Sequence, residues 1–204
     1  MEKMKSIIRT FWVKDPTGRS VIGLDGLSRS GKTYLSNRIA DYLYDQGIPC
    51  YLFHIDDFIV ERDRRYGTGL EEWREYYFLQ WETEELAEQF FSKLKSESEI
   101  RLAPYDNGSD FRNCKKVEIP KAGIILVEGV FLQRPEWRPY FDGVFYVDCP
   151  KQQRYERESP EAKRNIEKLA NRYWKAELYY EETIAPKERA DWVIQNGQET
   201  GETT

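Results

Sequence analysis

The sequence predicts a three-layer α/β fold, with a parallel central sheet of about five strands and helices on both faces. Two observations predict it. Short apolar runs at Ser20–Leu24, Cys50–Ile55, Gly123–Val127, Val144–Val147 and Asp191–Gln195 read as buried strands, and helical spacing fills much of the chain between them. The first two runs also flank a loop and a helix, a unit that favours parallel pairing through a right-handed crossover.

Each element has its own signal. Residues 1–19 read as a helix closed by the turn Asp15-Pro16-Thr17-Gly18. Gly26 to Gly31 is a Gly- and Ser-containing loop. Lys32 to Gln46 is helical through Leu35, Ile39, Tyr42 and Leu43, and Gly47 stops it. Residues 61–82 are polar and aromatic, with a short helix expected near Glu71 to Leu79. Thr83 is placed to cap a helix running to about Ser96, with Glu84 and Glu85 in its first turn. Residues 100–119 read as irregular, with a hairpin at Asn107-Gly108. A long charged helical stretch covers 150–182, and a polar tail from Asn196 to Thr204 is expected to fray. The 204 residues are expected to form a single domain over 1–204, with an insert at about 61–120 and a helical lid at about 150–170.

Composition excludes several classes. Hydrophobic residues make up 40% and charged residues 33%, an ordinary globular balance. The net charge of −5 argues against sequence-independent nucleic-acid binding, which needs a broad cationic face. Cys50, Cys114 and Cys149 are far apart, and His54 is the sole histidine, so neither a zinc site nor a disulfide framework is expected. Reduced thiols suit the cytoplasm. No apolar run reaches membrane-spanning length, so no membrane partner is expected. Oligomeric state is left open, a homo-oligomer included.

One motif sets the chemistry. Gly26-Leu27-Ser28-Arg29-Ser30-Gly31-Lys32-Thr33 satisfies G-x-x-x-x-G-K-[ST] in full, between a strand and a helix. The glycines let the backbone curl so that its N–H groups face phosphates, and the helix start adds its dipole. Lys32 is placed to reach the β- and γ-phosphates, and Thr33 offers a hydroxyl to Mg2+. A turn that merely joins a strand to a helix is the competing account.

A P-loop binds nucleotide without fixing the reaction. Asp56, at the carboxyl end of the second strand, faces the ligand crevice of an open α/β sheet and can take a proton from an attacking hydroxyl; capping a loop or pairing with a basic neighbour is the competing account. Glu128 ends a buried strand where it can serve Mg2+, and Gly129 lets the chain turn close to phosphates. Asp148 has the same form but reads as a helix cap. Arg154, Arg157, Lys163, Arg164 and Lys168 form either a solvated face or a mobile cationic lid. A GTPase is disfavoured: Asn-Lys-x-Asp is absent, and the one Asp-x-x-Gly precedes the P-loop.

The P-loop, Asp56-Asp57-Phe58, Pro104-Tyr105-Asp106, Val127-Glu128-Gly129 and Arg154-x-x-Arg157 occur in the order of uridine kinases, and the chain resembles that P-loop kinase group over residues 20–195. The group also holds phosphoribulokinase and one type of pantothenate kinase. The resemblance implies ATP and Mg2+ as cofactors and a small-molecule acceptor. It implies Asp56 as base and Thr33 and Glu128 at the metal. It further implies Glu82 on ribose-like hydroxyls, Tyr105 on the acceptor base, Arg154 on its sugar, and Arg157 and Arg164 on phosphates. Leu27, Asp57 and Thr83-Glu84-Glu85 depart from the uridine kinase pattern, and no pyrimidine-reading histidine can be placed. A sugar, a sugar phosphate or a pantothenate-like alcohol therefore stays open as acceptor, as does a regulatory P-loop ATPase without kinase activity. Arg62, Arg64 and Arg65 could hold a phosphorylated acceptor or form an exposed turn paired with Glu61 and Asp63.

Overall fold

The computed structural model describes residues 1–197. In chain order the elements are α1 (Glu2–Lys14), β1 (Arg19–Asp25), α2 (Lys32–Asp45), β2 (Cys50–His54), α3 (Arg62–Arg65), α4 (Glu72–Phe78), α5 (Thr83–Gln89) and β3 (Glu99–Leu102). There follow β4 (Tyr105–Asp106), β5 (Phe111–Arg112), β6 (Lys115–Glu118), β7 (Gly123–Gly129), β8 (Gly143–Asp148), α6 (Lys151–Glu156), α7 (Pro160–Arg164) and α8 (Ile166–Lys168). The chain closes with α9 (Lys175–Ile184), α10 (Pro186–Arg189) and β9 (Trp192–Gln195).

The central sheet has five strands in the order β2-β7-β1-β8-β9, and every pairing is parallel. Parallel sheets need cover on both faces, and the side chains alternate accordingly. Ile22, Leu24, Ile124, Leu126 and Phe145 pack with Met4 and Ile8 of α1 and Leu35, Ile39 and Leu43 of α2. Val21, Ile125, Val127, Val144 and Tyr146 pack against aromatic residues that include Tyr76, Trp81 and Phe90 of the insert, Phe131 after β7 and Tyr180 of α9. The sequence steps outward from β1 to β2 on one side, and β8 and β9 lie on the other. The carboxyl end of β1 is thus a switch point where a crevice opens.

Three local expectations are revised. The helix from Thr83 stops at Gln89 rather than near Ser96: Phe90 leaves helical geometry at φ −119°, ψ −70°, and Phe91–Lys93 continue as a 3-10 turn. Thr83 makes no side-chain cap; Glu82 stands at the cap position. Residues 100–119 are ordered rather than irregular, as two nested antiparallel pairs, β3 with β6 and β4 with β5, and the inner pair is the hairpin expected at Asn107-Gly108. The β4–β5 turn is held by Asp106 Oδ1, which accepts from the amides of Gly108 and Ser109. The polar tail lies outside the described residues from 198 onward. Asn196 is held in place: its amide donates to Asp148 O at 2.8 Å and its Nδ2 to Ser30 O at 2.7 Å.

Candidate active site

The residues after β1 curl as the motif requires. Gly31 has φ 97°, a left-handed value that an L side chain resists, and a Cβ there would lie 2.2 Å from Asn196 Nδ2. Arg29 also adopts positive φ, at 62°, a strain typical of ligand-holding loops. Lys32 is buried at the start of α2, and its Nζ donates to Leu27 O at 2.9 Å. Burial pushes the Lys32 ammonium down from its ordinary range, while Glu128, Asp56 and Asp25 oppose that shift.

Asp56 sits on the 3-10 turn Ile55–Phe58 that follows β2. The turn is pinned by Trp81, whose buried indole Nε1 donates to Ile55 O at 2.9 Å. The β7 strand closes on the same turn: a Cβ on Gly129 would lie 2.0 Å from Ile55 Cγ2. Glycine at 129 therefore lets the turn that carries Asp56 approach the end of β7. Asp56 is solvent-exposed as a residue, although protein atoms crowd its carboxylate. Burial raises its pKa, Glu128 and Asp57 add to the rise, and Lys32 and His54 oppose it.

Glu128 ends β7 and is buried. Its Oε1 accepts from Thr33 Oγ1 at 3.0 Å and lies 2.6 Å from His54 Nδ1. The hydrogen bond to Glu128 raises the His54 pKa, against the effect of burial. Thr33 and Glu128 thus bring two hard oxygen donors to one point, a set that suits Mg2+ and leaves its other positions to phosphates and water.

These groups share a cleft of about 590 Å³, lined by Arg29, Lys32, Thr33, Tyr34, Asp56, Glu128, Arg157 and Tyr173 among others. No family model matches the chain. A solved structure described as a possible uridine kinase from Bacillus stearothermophilus is 47% identical, with a TM-score of 0.82, and the match covers 95% of this chain and 97% of that one. This chain belongs to the uridine kinase-like group of P-loop kinases. A curated uridine kinase from Limosilactobacillus reuteri is 28% identical over 189 residues, covering 88% of this chain and 84% of that protein. A D-glycerate 3-kinase from Cryptococcus neoformans shares the fold at 13% identity, with a TM-score of 0.66, covering 95% of this chain and 94% of that one. Membership implies a kinase acting on a small-molecule acceptor with ATP and Mg2+. Among the described residues, no helix is long and apolar enough to cross a membrane.

The remaining residues named from the sequence take varied places in this P-loop kinase. Arg157 lines the cleft at the end of α6, and its Nη1 donates to the loop carbonyls of Arg29 and Ser30 at 3.1 and 3.3 Å. Arg164 does not line it; it pairs with Glu161 one turn away at 3.2 Å and is exposed. Arg154 departs from the expected contact with an acceptor sugar. It is buried, donates to both oxygens of Glu177 at 3.0 and 2.8 Å, and reaches Ser28 O at 3.1 Å. Glu177 in turn accepts from the Ser28 amide at 2.9 Å. The ion pair clamps the P-loop from outside the cleft, and Arg154 and Glu177 line a separate hollow between α6 and α9.

Glu82 is held between Arg64 at 2.7 Å and Arg112 at 2.8 Å. A hydrogen bond with Glu85 lowers its pKa, and both arginines add to that. Glu82 and Arg112 open onto a hollow of about 280 Å³ that also meets Phe58, two residues from Asp56. Tyr105 lies beside this region, its hydroxyl donating to Asp110 Oδ1 at 2.8 Å and its ring 5.1 Å from the Arg65 guanidinium. Sequence reasoning left His54 and Glu177 without a role. The period-two spacing of His54 and Asp56 was a usable signal for the first. Nothing local marks the second, which meets its P-loop partner across 149 residues.

Proposed function

We propose that the protein transfers the γ-phosphoryl group of ATP to a hydroxyl of a neutral, nucleoside-like acceptor. The observation that carries this reading is that Asp56 shares one cleft with Lys32, Thr33 and Glu128. The P-loop amides and Lys32 hold the triphosphate, with Asp56 beside its terminal end. Asp56 takes the proton from the acceptor hydroxyl as that oxygen bonds to the γ-phosphorus. The bond from phosphorus to the β–γ bridging oxygen breaks, and ADP leaves. Thr33 and Glu128 would hold Mg2+, which supplies charge neutralisation at the transferring group.

The insert favours a neutral acceptor over a phosphorylated one. Arg64 and Arg112 are paired with Glu82, Arg112 also meets Glu61 at 3.3 Å, and Arg62 donates to Asn107 and lies 3.9 Å from Asp110. The Arg65 Nε donates to Val60 O. A phosphate entering here would have to displace carboxylates from Arg62, Arg64 and Arg112, and Arg65 is buried. Glu82 keeps a carboxylate suited to sugar hydroxyls, and Tyr105 offers a ring beside it. We read residues 61–120 as the acceptor-binding insert and 150–170 as a lid bringing Arg157 to the phosphates. Three free thiols and the need for ATP fit a cytoplasmic location.

The test is ADP release across a panel of nucleosides, sugars, sugar phosphates and pantothenate-like alcohols, repeated with Asp56→Asn. A neutral nucleoside should drive release in the parent and not in the variant, with ATP binding kept in both. Turnover confined to sugar phosphates overturns the acceptor class. Slow hydrolysis indifferent to every acceptor favours a regulatory ATPase.

A further inference from the structure

The phosphotransfer reading leaves the sole histidine of the chain without a role. His54 is the last residue of β2, and it stands in register with Glu128 at the carboxyl end of β7. Parallel neighbours in register carry their side chains on the same side of the sheet. The two side chains accordingly meet: His54 Nδ1 lies 2.6 Å from Glu128 Oε1. Glu128 lines the cleft, whereas His54 is not among the residues that do. The imidazole therefore acts on the cleft, if at all, through the carboxylate.

Both hydrogen bonds that Glu128 receives fall on one oxygen. Thr33 Oγ1 donates to Oε1 at 3.0 Å, and His54 meets the same atom. Among the described residues no hydrogen bond reaches Oε2, which keeps its lone pairs for the cleft. An ionised carboxylate can only accept, so Nδ1 carries the hydrogen in this contact. Lys32, the other cation beside Glu128, donates to Leu27 O instead. The last torsion of a glutamate is broad, and a hydroxyl hydrogen swings with its acceptor. Thr33 alone would thus hold the carboxylate loosely. The imidazole is rigid and is carried by a strand.

We propose that His54 is a positioning residue for the metal: its Nδ1 donor fixes Glu128 with Oε2 turned to the cation that accompanies the triphosphate. The inference rests on the phosphotransfer reading. The same bond ties the two strands that carry the chemistry. The turn that bears Asp56 follows His54 directly, and Glu128 lies across the pairing from it. One contact therefore sets the metal carboxylate against the strand that leads to the base. Side chains that orient a metal-binding group in this way account for about 10–100-fold in metal affinity.

The experiment uses Mn2+ in place of Mg2+ and follows free Mn2+ by electron paramagnetic resonance, with a non-hydrolysable ATP analogue bound. Calorimetry of the analogue without metal runs beside it. His54→Leu removes the donor and should weaken Mn2+ binding by about tenfold or more, with metal-free nucleotide binding kept. His54→Asn puts an amide nitrogen where Nδ1 stands and should recover most of the loss. In a Glu128→Ala background His54→Leu should add little, because the group it orients is gone. Undiminished Mn2+ binding in His54→Leu overturns this inference alone. So does an equal loss of metal-free nucleotide, a His54→Asn no better than His54→Leu, or full additivity with Glu128→Ala. A parent that binds the analogue neither with metal nor without it overturns the phosphotransfer reading as well.

Discussion

Thr33 Oγ1 donates to Glu128 Oε1 at 3.0 Å, joining the first turn of α2 to the end of β7. The bond brings a hydroxyl and a carboxylate to one point from segments 95 residues apart. Glu128→Gln keeps the shape and an acceptor oxygen for Thr33 but removes the negative charge. Turnover should fall roughly a hundredfold and the Mg2+ requirement should rise, while metal-free nucleotide binding stays unchanged. A Mg2+ titration of ADP release, paired with calorimetry, reads both. An unaltered Mg2+ requirement removes Glu128 from the metal site.

Asp56 must be ionised to accept a proton, and burial raises its pKa above the ordinary carboxylate value of about 3.9. Activity should therefore fall as pH drops through that raised value, which sets the acid limb of the kcat profile above the usual carboxylate range. Asp57 contributes to the rise. Asp57→Asn removes that like charge and should move the limb to lower pH. A limb that stays in place or moves upward contradicts the assignment of Asp56 as base.

Gly129→Ala tests how closely the Asp56 turn is placed. The added Cβ would meet Ile55 Cγ2 at 2.0 Å and force the turn away from β7. A displacement of about 1 Å in a reacting group costs on the order of a hundredfold in rate. We expect kcat to fall by that order with ATP affinity retained, because the P-loop is untouched. Steady-state kinetics with parallel ATP binding measurements check the split.

Arg154→Met leaves Glu177 buried without a countercharge, a change that costs about 3–5 kcal/mol. Combining it with Glu177→Leu should restore much of that stability in denaturant unfolding. The double variant still lacks the acceptor for the Ser28 amide, so ATP binding should remain weaker than in the parent. Full recovery of both would show that the pair does not position the loop.

The readable part of the molecule was the part encoded by neighbours in sequence. Gly26 to Thr33 form their loop through local backbone geometry, and β1, β7 and β8 announce themselves as apolar runs because both faces of a parallel sheet are covered. The places of Asp56 and Glu128 were legible for the same reason: one follows and the other closes a strand at the carboxyl edge of the sheet, where the crevice lies. The arrangement of residues 100–119 was not, since β3 and β6 are too short to show a period, and what orders them is pairing with each other.

Sequence by itself determined the phosphate loop, the parallel sheet and the identity of the carboxylates at its edge, because these follow from short-range spacing and strand ends. Tertiary structure alone decided what the long-range pairs do. Arg154 carried a lid-like signature, yet packing of α6 against α9 gave it Glu177 and the back of the P-loop. The insert arginines left a phosphate site and a turn paired with Glu61 and Asp63 both open, and folding set Glu82 against Arg64 and Arg112. A side chain's charge is local information, but its partner is chosen by which surfaces the core brings together, and burial then makes that choice costly to undo.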